Sequence, residues 1–452
     1  MLNRAPALPP SLPAPAIFQA RRWLREPLPM LDECRARFGG MFTLRLFGAG
    51  NWVLVSSPAD VKAVFTADSD VLHAGEINRK LFGHFAGSAS SFVLDGDDHL
   101  RHRRLALPAF HGDRMKSYGE LIRAATDEVI AEWPVEGPFA LMPHIHDLIL
   151  RVTVRAVFGV APGERERALR AQLSALDDLA FTSPLALVPA LAKIPGPFGP
   201  LARVRAEVRR TDGLLFDEIV RRRAEPDAAT RPDILSLLLS AKDDQGQPLS
   251  DTELRDELVS ALLAGTHTTG TAMAWCFERL LSEPEARGKV CAELAEVAGG
   301  GPVGPEHWSR LRYLDAAIKE ALRLRPIAPV GGLRLVKQPF QLGDYVLPPG
   351  TTVGSCAYLT FKDPALYPDP EQYRPERFLD TKVDPYAFAA FGGGIRRCLG
   401  MAFALNLLKG VCATVLSRTS LAIVSPHARP ARHAFFVAPE AGLQVRLGAP
   451  AR

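Results

Sequence analysis

The sequence predicts a mainly helical fold with small β-sheets, built around one long central helix. Three observations lead to that class. Apolar and small residues (Leu254, Leu258, Ala261, Leu262, Gly265, Thr269, Ala272) recur at helical spacing behind a Ser250-x-x-Glu253 capping signature. Residues 41–47 and 51–56 alternate like two strands of a hairpin joined across Gly48-Ala49-Gly50. Residues suited to a single ligand site are spread from His99 to Cys398. That spread argues for one domain over residues 1–452, although length alone suggests about three.

The elements follow in chain order. Residues 1–28 form a Pro- and Arg-rich lead with no continuous apolar run, so neither a membrane anchor nor a signal-peptide core is expected there. The hairpin comes next, then a segment over residues 75–94 punctuated by Gly, Ser and Phe. Asp95-Gly96-Asp97-Asp98 lacks the later ligands of a calcium loop and reads as a turn and helix start. In the helix that follows, His99 and Arg103 are spaced i, i+4 and share a face. His144 and His146 mark another helix start, since no carboxylate pattern surrounds them to suggest a metal. Residues 183–200 are proline-rich and read as a long loop. The central helix runs to about Leu281, before Pro284, and spans roughly 45–50 Å at 1.5 Å per residue. In its middle, Ala264-Gly265-Thr266-His267-Thr268-Thr269-Gly270 is poor in helix formers, and threonine hydroxyls there can bond back to the preceding turn. A shorter helix carrying Glu320 and Arg323 on one face ends at Pro326. Gly332 to Val336 is strand-like and contains Arg334. Arg432 to Leu447 reads as a closing hairpin around Pro439-Glu440-Ala441-Gly442. There is no internal repeat.

Composition is that of a globular enzyme: 452 residues, 47% hydrophobic and 23% charged. A net charge of +4 is mild and gives no footprint for nucleic acid. The six cysteines include no Cys-x-x-Cys pair, which argues against a zinc site and a disulfide framework and for a reducing, cytoplasmic setting.

Phe391-Gly392-Gly393-Gly394-Ile395-Arg396-Arg397-Cys398-Leu399-Gly400 is the most informative segment. Its glycines let the backbone turn tightly and approach a flat ligand. Cys398 stands just before a helical stretch, where the helix dipole favours a thiolate. Haem iron is one of the few partners that takes a single cysteinate. The pattern Phe391-x-x-Gly394-x-Arg396-x-Cys398-x-Gly400 resembles the haem-binding signature of the cytochrome P-450 family at every fixed position. Glu320-x-x-Arg323, followed downstream by Arg377 in Tyr373-Arg374-Pro375-Glu376-Arg377-Phe378, resembles that family's buried charge network. The resemblance covers nearly the whole chain.

The resemblance implies the family's mainly helical fold, with the long helix over haem b and Cys398 as the thiolate ligand of the iron. Gly265 would leave room over the metal, and Thr268 would hydrogen-bond dioxygen. The family usually has Asp or Glu where this chain has His267. An imidazole with a reference pKa of about 6.5 can relay protons there, or it can serve only as a salt-bridge or hydrogen-bond partner. His99, Arg103, Arg334 and Arg396 are the expected partners of the propionates. Ala261, Ala264, Ile327, Ala328 and Val330 are the expected pocket walls, with residues 75–94 and 183–200 covering them. Arg396, Arg397, Arg101 and Arg104 suggest a basic face for an acidic partner. The implied enzyme is a soluble, monomeric bacterial monooxygenase. It would act on a lipophilic small molecule with O2, taking NAD(P)H electrons through a ferredoxin or flavodoxin and its reductase. Two other classes stay open: a peroxide-driven, coupling or dehydrating haem-thiolate enzyme, and a non-enzymatic haem sensor or carrier.

Overall fold

The computed structural model describes residues 7–110, 112, 114–182, 200–433 and 436–448. The chain opens on α1 (Ala16–Arg25) and α2 (Pro27–Phe38), and Pro27 suits the first turn of α2 because its missing N–H is not needed there. Strands β1 (Met41–Leu46) and β2 (Gly50–Val55) form the expected hairpin, with Leu44 opposite Trp52. The described part of the N-terminal lead, from residue 7, is built into this layer. Leu12 and Gln19 are buried, and the Arg45 N–H donates to Gln19 Oε1 at 3.0 Å, tying α1 to β1.

Next come α3 (Pro58–Thr66), β3 (Leu72–His73), α4 (Gly75–Ala86), α5 (Gly96–Ala106), α6 (Arg114–Ala131), β4 (Phe139–Ala140), α7 (Leu141–Phe158) and α8 (Glu164–Thr182). The proline-rich loop expected over residues 183–200 lies, but for its last residue, outside the described residues. The chain continues through α9 (Pro200–Ala224), α10 (Ile234–Ser240), α11 (Asp251–Ser282), α12 (Pro284–Ala298) and α13 (Arg312–Leu324). Then follow β5 (Gly331–Val336), β6 (Phe340–Leu342), β7 (Tyr345–Leu347), β8 (Thr352–Ser355), α14 (Ala357–Phe361), α15 (Met401–Arg418) and β9 (Leu421–Ile423). The described chain closes on β10 (Pro430–His433), β11 (Phe436–Pro439) and β12 (Gln444–Leu447).

The central helix is α11, unbroken over 32 residues, or about 48 Å. Its predicted capping box is present: Ser250 Oγ accepts from the Glu253 N–H at 3.3 Å, and Glu253 Oε2 accepts from the Ser250 N–H at 2.7 Å. One apolar core, with members from Phe85 to Val445, gathers around α11 from α6, α7, α8, α13 and α15. Trp275 on α11 is fully buried and donates its Nε1–H to the Val437 carbonyl on β11 at 2.7 Å. Among the described residues, α15 is long and apolar enough to cross a membrane, but half of it is buried in this core.

The main sheet has the order β1-β2-β8-β5-β3, with β2 and β8 parallel. It carries a second apolar cluster that includes Met30, Phe42 and Trp52. The closing hairpin expected around Pro439–Gly442 does not form. The hairpin is β10 with β11, while β12 pairs with β4 and β9 in a different sheet. Ala441, Gly442 and Leu443 all have positive φ (55°, 70° and 58°), and this left-handed run carries the chain away from β11 instead of folding it back.

Candidate active site

The loop before α15 is held by its backbone. The Cys398 N–H donates to the Phe391 carbonyl at 2.9 Å, and the Ala404 N–H to the Gly400 carbonyl at 2.8 Å, so Cys398 stands two residues before the helix N-cap. Gly394 has φ of 62°, and a side chain there would collide with the Phe65 carbonyl at the end of α3. Gly393 packs on Phe65 and Tyr386. Phe391 packs against the main core. Cys398 is a free thiol with accessible surface, yet protein surrounds it closely. Burial pushes its pKa up, opposed by the Gly400 N–H and by Arg103 and Arg397.

The central helix has an open face of its own. Between Leu254 and Leu281 every residue of α11 is buried except Ala261, Ala264, Gly265 and Thr268. These follow the i, i+3, i+4, i+7 pattern of one helix face, so the helix opens on a single stripe inside the protein. No atom lies within 4 Å of where a Gly265 Cβ would stand. Thr268 Oγ1 donates to the Ala264 carbonyl at 2.6 Å, the back-bond expected of a helical threonine. Ile327 packs on the same core as Ala261, and its carbonyl accepts from the Val437 N–H at 2.9 Å. Ala328 is half-buried beside it. Val330 packs instead against the cluster of the main sheet, apart from Ala261 and Ile327.

Three arginines and a neutral histidine converge from three elements. His99 and Arg103 lie on α5, Arg334 on β5 and Arg396 in the cysteine loop. His99 is buried, and its Nδ1 has no hydrogen-bond partner. Burial, followed by the charges of Arg396 and Arg103, lowers its pKa to about 3. Burial and Arg396 pull Arg334 down to about 10, and burial pulls Arg396 to about 10 against the attraction of Asp95. Asp95 is the one carboxylate acting on His99, Arg334 and Arg396 alike. Arg103 Nη2 donates to the Arg397 carbonyl at 2.7 Å, tying α5 to the cysteine loop. Excess buried positive charge, an orphaned imidazole nitrogen, an accessible thiol and a small-residue stripe together suit a flat metal-bearing ligand with anionic groups, as haem is.

Asp95 has a role its local sequence does not reveal. It precedes α5, as the turn reading requires, but its carboxylate caps a different helix. Oδ1 and Oδ2 accept from the Gly75 and Glu76 N–H groups of α4, both at 2.7 Å, and Oδ1 also accepts from Arg396 at 2.7 Å. Asp256 and Glu257 of α11 likewise hold the following loop, with Asp256 Oδ2 accepting from the Ser88 and Ala89 N–H groups at 2.8 Å. These contacts join residues far apart in the chain, so spacing gives no sign of them.

The expected charge network is present. Arg323 pairs with Glu320 through Nε (2.7 Å) and Nη2 (2.9 Å), and both side chains are fully buried. Arg377 Nε reaches Glu320 Oε1 at 3.2 Å. Arg323 Nη1 also donates to the Phe361 carbonyl at 2.8 Å, which fastens α13 to α14.

The basic face is narrower than expected. Arg101 is tied to Asp243 at 2.6 Å and Glu253 at 2.8 Å, because α5 packs beside the start of α11. Arg104 pairs with Asp244 at 3.3 Å in solvent, and Arg397 is exposed. His267 lies off the accessible stripe. Its Nδ1 is 3.6 Å from Asp177 Oδ2 of α8, and its ring stacks on Phe181 at 4.6 Å and on Phe436 at 5.7 Å.

Comparison with known proteins shows the family. The family model for cytochrome P450 matches residues 6–447. "Putative cytochrome P450 135B1" of Mycobacterium tuberculosis is 35% identical over 444 residues, covering 98% of this chain and 92% of that protein. "Putative cytochrome P450 137" of the same species is 35% identical over 455 residues, covering 97% and 91%. The structure of retinoic acid-bound cyanobacterial CYP120A1 superposes with a TM-score of 0.82 at 23% identity, covering 98% of this chain and all (100%) of that one. The cytochrome P450DA haem domain gives 0.82 at 21% identity, covering 98% of each chain. The chain belongs to the cytochrome P450 family of haem-thiolate monooxygenases.

Proposed function

We propose that this enzyme binds haem b through Cys398 and inserts one atom of O2 into a C–H bond or double bond of a lipophilic small molecule. Terpenoids, fatty acids, steroids and polyketides are the classes to test. The single observation that carries this reading is the stripe Ala261, Ala264, Gly265 and Thr268, the one accessible face of α11 between Leu254 and Leu281.

Haem, when bound, supplies the redox chemistry of dioxygen. The chain's own residues do the rest. Cys398 gives up its proton to serve as ligand, helped by the Gly400 N–H, Arg103 and Arg397. Arg103, Arg334 and Arg396 hold the propionates, whose negative charge answers their own, and His99 offers them a neutral hydrogen bond. Phe391, Gly394 and Gly400 shape the loop around the ligand. Ala261, Ala264 and Gly265 leave room, with Ile327 and Ala328 as apolar walls. Thr268 Oγ1 can leave its back-bond to Ala264 and hold a proton at the reacting centre. His267 faces Asp177 between two phenyl rings. That arrangement supports its role as a fixed partner of α8, with protons reaching Thr268 through water.

Electrons come from NAD(P)H through a separate ferredoxin or flavodoxin and its reductase, docking beside exposed Arg397. The functional unit is a monomer of one domain. Titrating the purified ferric protein with the four substrate classes and following the Soret band tests the reading. A high-spin shift with one class, followed by oxygenated product from that class, is expected. Absence of any shift and of any product with intact thiolate ligation would overturn the substrate assignment.

A further inference from the structure

We propose that His146, Asp177 and His267 form a divalent transition-metal site, of the kind that takes zinc, joining α7, α8 and α11. This inference goes beyond the oxygenase reading and does not depend on it. Each side chain comes from a different helix, and one ligand atom from each lies within 4.8 Å of the other two. Asp177 Oδ2 stands 3.6 Å from His267 Nδ1 and 3.9 Å from His146 Nε2. Both separations exceed hydrogen-bond length. They approach the spacing of ligands around zinc, where bonds of about 2.0–2.2 Å in a tetrahedron put neighbouring ligand atoms roughly 3.3 Å apart.

The charge balance points the same way. Asp177 is 3% exposed, and neither of its oxygens has a hydrogen-bond partner among the described residues. His146 Nε2 is likewise buried without one. The charged groups nearby do not answer Asp177. Asp178 beside it adds negative charge and is exposed, while Arg170 of α8 pairs with Asp147 and Glu166. A buried carboxylate facing two imidazoles, with no lysine or arginine among the described residues paired to it, is costly unless a cation completes the set. Two nitrogens and one oxygen suit zinc better than calcium or magnesium, which take oxygen ligands.

The site is also held in place. Phe181 and Phe436 stack on the His267 ring and fix the direction of Nδ1, which is the support a ligand needs. The His146 side chain is 23% exposed. This leaves a route for entry and a fourth position for water.

The test is equilibrium dialysis of zinc against the haem-loaded protein, with zinc-edge X-ray absorption on the complex. One zinc per chain bound through nitrogen and oxygen is expected. Affinity should fall at least about tenfold in both His146→Gln and Asp177→Asn. His146→Gln changes a partly exposed side chain, and an unaltered Soret spectrum and thermal midpoint would certify its fold. His73→Gln removes a histidine near Glu76 (3.6 Å) and Asp95 (3.8 Å) and should leave the zinc in place. No bound zinc, zinc retained by both site variants, or zinc lost only in His73→Gln would each overturn the proposal.

Discussion

In the proposed reading Cys398 is the haem ligand, and Gly394 shapes the loop that presents it. A Cβ at residue 394 meets the Phe65 carbonyl, and φ of 62° is strained for any other residue. Gly394→Ala should therefore loosen the loop and lower the haem-to-protein ratio of the purified enzyme, while far-UV circular dichroism stays near wild type. An unchanged ratio would mean the loop can shift at no cost. His267→Ala should leave product formed per reductant consumed within about twofold of wild type, because His267 is turned to Asp177 and clamped by aromatic rings. A large loss of coupling would return it to the proton path. The residue scale also marks where sequence reading stopped. The place of Cys398 before a helix, the turn at Gly394 and the back-bond of Thr268 were legible because local spacing carries their geometry. Asp95, His146 and Asp177 were not, since their partners lie on elements that only the fold brings near.

Two elements set the frame around the site. The buried pair Glu320–Arg323 was readable from i, i+3 spacing, and its burial makes it matter. Removing one partner strands a charge, so Glu320→Ala should cost about 3–5 kcal/mol and release haem on mild heating. Calorimetry and the Soret band check both effects. The start of α11 gives a pH dependence. Burial would raise the pKa of Glu253, but the Ser250 N–H and hydroxyl, Arg101 and His102 outweigh it and lower the value from 4.5 to about 2. A folded pKa below the unfolded one means the unfolded chain binds more protons between those values. This contribution is present above pH 4.5 and is lost as pH falls toward 2. Glu253→Gln should flatten the pH dependence of the melting temperature in that window. The capping box was legible because it is a four-residue signal, whereas the partners that lower this pKa on α5 were not. The closing hairpin failed for a related reason. A turn signal at Pro439–Gly442 does not reveal that three left-handed residues send β12 to another sheet.

At the scale of the molecule, one core runs from Phe85 to Val445 and packs helices including α6, α7, α8, α13 and α15 around α11. The mainly helical class was readable from periodicity and from motifs spread along the chain. Which strands pair was less so, because pairing in the five-strand sheet skips between β2, β8, β5 and β3. Arg101 is held by Asp243 and Glu253, so a docking face for an acidic electron donor rests on Arg397 and its exposed neighbours. Exposed charges are screened beyond about 10 Å at 0.1 M salt. Turnover with a separate acidic donor should fall several-fold as salt rises to about 0.3 M, with substrate binding to the ferric protein unchanged. A salt-insensitive rate would remove the electrostatic docking claim.

The central claim is that Cys398 would hold haem as its thiolate ligand. The ferrous carbon-monoxide spectrum of the purified protein, wild type beside Cys398→Ser, tests it most directly. The account predicts the red-shifted Soret band of a thiolate-bound haem in the wild type and its loss in the variant. The same band in both proteins would contradict it.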